Sequence, residues 1–459
     1  MQKMDYQLKD FFKIPPTQRP EILLNKIIAS HRYHFTRNTA YRRLMMAKGI
    51  GETIADTDMV HVLRMTSQVF KSYIDILGTP FPNHQPQQFM QWISDNLSIE
   101  LPAKKLSQFK TRYKTLEDLL LAAENIYTEQ GFEIGTSSGT SGRATIILRD
   151  KDTADKAVEA YQLAVYRLWG TVDEHQFIFV MPQDTRIVMA RVARMATKRL
   201  GLDRQSHFTI PFSATPDQVR IRAGRTFEEG FKGWVEEKII NPFMNWMNEN
   251  YVKSKYVNGT IELLEQMATK QENVLLFGGW IQLHQIYLGL LERGYSENGK
   301  VLKLGQASML GTGGGIKEAY PFPSHQIRDD LQSIVRIADG SALPHRDVYG
   351  MAEANWAAAQ CEQGNYHLPP WVYAVIVGDN DQIVETADAN GILAFYDPLT
   401  EGGLFPNFFK TADAVHLING GRFYDEKLAC PCGYQTTYIT RDSIIRQDRL
   451  DEAGCAGQI

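Results

Sequence analysis

Cysteine is scarce: the 459 residues hold 4. That excludes a disulfide framework of the secreted kind. No window gathers the ~20 consecutive apolar residues of a membrane-spanning helix. The first 20 residues have no apolar core long enough for a signal peptide, so a cytoplasmic protein with no membrane span is expected. Charge of one sign is also lacking. Lys+Arg 49 against Asp+Glu 53 leaves a formal net charge of -4, and no electrostatic footprint argues for a nucleic-acid partner. One basic run, residues 30–49, reads as a single amphipathic helix with a solvated basic face. There is no internal repeat and no low-complexity tail.

What is present is ordinary globular composition, 43% hydrophobic and 22% charged. The length suits two or three domains, or one large catalytic body with subdomains. Residues 1–130 read as mostly helical, with apolar residues at i, i+3 and i+4 in EILLNKIIASHRYHF and TLEDLLLAAENIY, and residues 78–89 as a Pro-rich connector. From 131 to 369 short apolar strands (QFIFVMP, NVLLFGG) alternate with longer helices (KDTADKAVEAYQLAVYRLWG, WIQLHQIYLGLLERG), which predicts α/β layers. Residues 370–459 change character: WVYAVIVGD, QIVETA, GILAFYDP and DAVHLI alternate like strands, giving a β-rich subdomain.

Four short stretches carry chemistry. Residues 135–142, GTSSGTSG, can be a linker or a phosphate cradle. The stretch lacks the Gly-Lys-Ser/Thr of a P-loop. Gly313, Gly314 and Gly315, with Lys317 close behind, permit close backbone approach to a flat ligand, or form a hinge. In DVYGMAEANW, Tyr349 can stack on a purine and Glu353 can hold Mg2+ against phosphate oxygens. The plainer reading is a helix start with a surface Glu. Asp413, ahead of an apolar strand, can accept two ribose hydroxyls or simply sit in a turn.

In their order along the chain these stretches resemble the adenylate-forming superfamily. The resemblance implies its large N-terminal α/β domain and an ATP-dependent enzyme that activates a carboxylic acid with Mg2+. It makes Thr136, Ser137, Ser138, Gly139, Thr140, Ser141 and Gly142 the loop that grips the ATP phosphates. Gly313–Gly315 become the adenine-side strand end. Tyr349, followed by Gly350, stacks on adenine, Glu353 binds Mg2+, and Asp413 holds the ribose. Two departures stand out: Ala412 replaces the usual Gly before the Asp, and Ala144-Thr145 stands where Pro-Lys often follows the loop. The phenylacetate–coenzyme A ligase branch often has Pro-Thr there. That branch also resembles this chain in its Cys-x5-His and distant Cys-Pro-Cys-Gly, here Cys361, His367, Cys430 and Cys432. Three thiolates and one imidazole imply a closed, structural Zn2+ site.

Fewer residues follow Asp413 than the ~50 of a small domain, so the swinging C-terminal domain of these enzymes is expected to be absent. The acyl-protein synthetases of bacterial bioluminescence keep the adenylating core without it. The glycine run with Lys317 and the terminal Gly-Cys, here Cys455, resemble that family. It implies a fatty acid activated as acyl-AMP, captured as a thioester on Cys455 and delivered to a partner such as an acyl reductase. Free coenzyme A is the alternative acceptor. Lys317 and Arg143 are the candidate cations for the phosphates, with Arg446 and Arg449 behind them, and residues 277–290 are expected to line part of the acyl pocket.

Overall fold

The structure is a computed structural model that describes residues 7–137, 144–170, 174–223, 227–315 and 320–446. The first apolar-periodic stretch forms the helix Arg19–Arg37, burying Leu23, Ile27, His31 and His34. The basic run at 30–49 is not one helix. Asn38 adopts an extended conformation, its side-chain oxygen accepts from the Tyr41 N–H at 2.8 Å, and a second helix, Thr39–Ala47, starts there. The apolar period runs through the break, but an Asn whose amide also donates to the Asn96 carbonyl at 2.6 Å is held as a cap. Arg32, Arg37, Arg42 and Arg43 remain exposed, as expected of the basic face. The connector at 78–89 is shorter than its prolines suggest, because Pro86 opens the helix Pro86–Asn96 from a position where its missing N–H costs nothing.

The chain divides into two units: one gathers the residues before 135, 145–168 and those after 350, and the other holds most of 169–350. The first unit is built on antiparallel pairs. Phe408–Ile418 pairs along its length with Asp388–Tyr396 and then with Tyr438–Ile439 and Ile445–Arg446, while Arg64–Met65 adds to it in parallel. Tyr373–Val377 closes one side, and Ala357–Gln360 pairs with Tyr366–His367 on the other. Trp356, Trp371, Phe395, Phe408 and Phe409 are fully buried among these strands. Two expectations fail here. QIVETA is not a strand: a turn with Asp381 at φ 56 lets only Ile383 bridge back to Val377. Asp413 does not precede a strand but sits inside Phe408–Ile418, opposite Arg446.

The second unit is a parallel sheet in the order Ser206–Ile210, Gln176–Pro182, Val274–Gly278, Met309–Gly313, His345–Gly350. Gln176–Pro182, Val274–Gly278 and Met309–Gly313 are mostly buried runs because helices cover them, while SHFTI and HRDVYG are more polar and half-buried. Ile178, Val180, Leu276 and Leu310 pack against Ile261 and Leu264 of Lys253–Lys270, Leu283 and Ile286 of Trp280–Glu292, and Leu331 of Ser324–Ile334. All five strands run the same way, so Pro182, Gly278, Gly313 and Gly350 end at one carboxyl edge, where ligands of open α/β sheets bind. Among the described residues no helix is long and apolar enough to cross a membrane.

Candidate functional site

The carboxyl edge of the second unit brings two of the sequence stretches together. Gly313 ends its strand in register with Val348 of the neighbouring strand, which places Tyr349 and Gly350 at the next positions along. Gly314 and Gly315 follow with φ of 84° and 69°, a left-handed pair that only glycine adopts without strain. Tyr349 is 2% exposed, so its ring is largely covered. Thr136 is in the same unit. Its N–H donates to the Arg186 carbonyl at 2.7 Å, while its hydroxyl is buried with no hydrogen-bond partner among the described residues. A buried orphan hydroxyl costs about 1–3 kcal/mol, which is tolerable where a ligand later completes the bond. Ser137 is described and partly buried. Ser138, Gly139, Thr140, Ser141, Gly142, Arg143, Lys317, Arg449 and Cys455 lie outside the described residues.

Behind Gly313 the structure shows a polar network that the sequence reading missed. The Thr312 hydroxyl donates to the Asp347 carboxylate at 2.6 Å and lies 2.8 Å from His345 Nε2. The hydroxyl has one proton, so Nε2–H of His345 donates to it. Burial pushes the His345 pKa down to about 4, with Arg328 and Arg346 adding to the effect, so the ring is neutral near pH 7. Trp280 packs against it with ring centroids 5.2 Å apart. The available signal was Thr312 as the one polar side chain of MLGTG, and His345 and Asp347 two apart on one face of HRDVYG, since buried polar groups need partners. Residues 277–290 divide their roles. Trp280, Leu283, Ile286 and Leu290 belong to the core, while Phe277 lies beneath Gly311, where an added Cβ would come within 2.5 Å of its ring.

In the first unit Glu353 sits in the turn after Gly350 and is half-buried. Burial raises its pKa, partly offset by Lys71, a hydrogen bond from Thr145, and Arg149. Arg149, buried at the end of the strand that follows the Gly/Ser/Thr loop, holds this turn. Its Nε donates to Asn355 Oδ1 at 2.7 Å, and one Nη donates to the carbonyls of Ala352 and Ala354 at 3.0 Å each. Nothing in the local sequence pattern sets this arginine apart. Asp413 is 9% exposed, and its N–H donates to Thr411 Oγ1 at 3.1 Å.

Cys361, His367, Cys430 and Cys432 form a cluster in the same unit whose ligand atoms all lie within 4.8 Å of one another. Cys361 and His367 come from a hairpin closed by the Cys361 N–H on the Asn365 carbonyl (2.9 Å). Cys430 and Cys432 flank a turn in which the Gly433 N–H, at φ 85°, returns to the Cys430 carbonyl. Cys361 Sγ is 3.9 Å from Cys430 Sγ, and Cys432 Sγ is 3.2 Å from His367 Nε2. A tetrahedron with metal–sulfur bonds of ~2.3 Å has edges of ~3.8 Å, so the sulfur pair fits as an open edge rather than a disulfide. Thr436 lies 2.9 Å from His367 Nδ1, which leaves Nε2 facing the sulfurs, and Asn365 donates to Cys430 Sγ at 3.3 Å. Burial raises the Cys430 thiol, but the hydrogen bonds from His367 and Asn365 outweigh it and bring it down to about 6. The donor set fits a four-coordinate metal ion.

No family model matches the chain, and no curated protein matches it in sequence. Solved structures do resemble it. A 2-hydroxyisobutyryl-CoA ligase in an open conformation, in complex with 2-HIB-AMP and CoA, is 12% identical with a TM-score of 0.56, covering 97% of this chain and 79% of that one. The same ligase in the thioesterification state gives 13% identity and a TM-score of 0.54, over 94% and 70%. The likeness shows the fold alone, the mixed α/β architecture of that ligase.

Proposed function

We propose that the chain is an ATP-dependent ligase that activates a carboxylic acid as its acyl-adenylate and then passes the acyl group to a thiol. The observation that carries this reading is the alignment of Gly313 with Val348, which sets the glycine run beside Tyr349-Gly350 at the carboxyl edge of a sheet with this fold. A carboxylate is a poor electrophile. Its oxygen attacks the α-phosphorus of ATP, pyrophosphate leaves, and a mixed anhydride results. Donors aimed at the developing charge lower that barrier. Thr136 and Ser137, with Ser138, Thr140 and Ser141 after them, are the hydroxyls assigned to the phosphates. Asp413 is assigned to the ribose, Glu353 to Mg2+, and Lys317 or Arg143 to the cationic contact. A thiolate then attacks the acyl carbon and AMP leaves.

In this reading the thiol is Cys455, the acid is a fatty acid, and a partner such as an acyl reductase receives the acyl group in the cytoplasm. The cluster of Cys361, His367, Cys430 and Cys432 holds Zn2+, which supplies a structural cross-link. The second reading is an acyl- or aryl-coenzyme A ligase, favoured by the CoA in the ligase structure that covers 97% of this chain. The test is incubation with ATP, Mg2+ and a panel of carboxylic acids, followed by intact-mass measurement. An acyl adduct that disappears in Cys455→Ala supports the protein thioester. Acyl-CoA formed on adding CoA, with no adduct on the protein, replaces the first reading with the second. No pyrophosphate exchange with any acid sinks both.

A further inference from the structure

The second unit carries a helical arm of unusual composition. Gly230–Val235 continues through Glu236–Ile240, Asn241–Met247 and Asn248–Val252 into Lys253–Lys270, and the segments Glu236–Ile240 and Asn248–Val252 are π-helical. Phe231, Trp234, Ile239, Phe243, Trp246 and Tyr251 are 52% to 79% exposed. Phe231 stacks on Trp234 and Phe243 on Trp246. On a straight α-helix, at ~100° per residue, these six would scatter over roughly 260°. A π turn advances only about 80° per residue. The two π segments therefore turn Ile239, Phe243, Trp246 and Tyr251 back into line with Phe231 and Trp234, and the six share an arc of roughly 100°. The opposite side is anchored: Glu236 is buried 3.3 Å from Arg220, and Val252 and Tyr256 join the core.

We infer that this face receives a second copy of the chain, arm against arm and antiparallel about a two-fold axis. Three observations select that occupant. The stripe is nearly palindromic about residue 241: Ile239 and Phe243 lie at equal distances either side, Phe231 and Tyr251 do likewise, and Trp234 and Trp246 nearly so. A two-fold contact requires such self-complementarity. The ends carry opposite exposed charge, Glu229 where the arm begins and Lys255 just past the end of the stripe, so antiparallel docking sets unlike charges together. Large aromatic side chains bury roughly 150–250 Å² each, and the five here together with Ile239 offer, at these exposures, about 700 Å², near the ~800 Å² each partner gives a stable dimer. A lipid surface fits less well. Lys232 pairs with Glu228, and Lys238 with Glu237, so between its ends the stripe carries no net cationic flank to draw it to an anionic bilayer.

The test is sedimentation of the full chain across nanomolar to micromolar concentrations. The wild type is expected at twice the monomer mass. Trp234→Glu/Trp246→Glu is expected to sediment as monomer, with self-association weakened at least ~100-fold, an unchanged far-UV spectrum because both side chains are exposed, and a Tm that, unlike the wild type's, does not rise with protein concentration. Lys255→Glu alone should weaken the dimer, and Glu229→Lys added to it should restore association. A monomer at every concentration, or a dimer indifferent to the double Trp variant, overturns the inference. So does a monomer that floats with phosphatidylcholine vesicles through the same two tryptophans. Failure of the charge swap to restore association overturns the antiparallel arrangement.

Discussion

Arg149 is a single side chain on which a whole turn depends. Its guanidinium donates to three acceptors within residues 352–355, and removing it leaves them buried without a donor. Arg149→Ala should cost about 2–4 kcal/mol, read as a fall in Tm, and Arg149→Lys should recover part of it. If the turn positions Glu353 for Mg2+, pyrophosphate exchange by Arg149→Lys will need more Mg2+ than the wild type. His345 makes a pH prediction. Its pKa falls from 6.5 to about 4 on folding, so the unfolded chain binds more protons between those values. Its stabilising contribution is full above 6.5 and is lost as pH falls towards 4, a change worth on the order of 3 kcal/mol. Denaturant titrations between pH 4 and 7 should show that change in the wild type and a smaller one in His345→Gln.

At the scale of elements, the Asn38 cap and the metal hairpin yield separate expectations. Asn38→Ala should cost about 1 kcal/mol for the cap and somewhat more for the lost bond to Asn96, visible as a lower Tm. Cys430→Ser should purify with less than stoichiometric zinc and melt lower. Chelation of the wild type should reproduce that shift, and wild-type protein that is metal-free yet equally stable would remove the zinc assignment. Much of this scale was legible in the sequence. QFIFVMP and NVLLFGG read as buried strands because parallel strands covered by helices are continuous apolar runs. The grouping of Cys361, His367, Cys430 and Cys432 was legible only through the resemblance to the phenylacetate–coenzyme A ligase branch, because Cys361 and Cys430 lie 69 residues apart and spacing alone does not join the two pairs. Asn38 was illegible because the apolar period continues across it. The Thr312–Asp347–His345 network and the clamp of Arg149 were illegible because each joins residues far apart in the chain. The π segments were illegible because they change the helical period that the reading assumed.

At the scale of the whole molecule, the first unit is discontinuous in sequence. Arg64 pairs with Phe409, and the strand that accepts it pairs in turn with Ile445–Arg446. During synthesis at roughly 5–20 residues per second, the residues before 135 must wait for tens of seconds before their sheet partners exist. The second unit, nearly continuous from 169 to 350, meets its own partners first. A ribosome-stalled chain ending near residue 370 should therefore protect the second unit from protease while leaving the helices before 135 open to cleavage. The N-terminal third of this protein is made first and finished last.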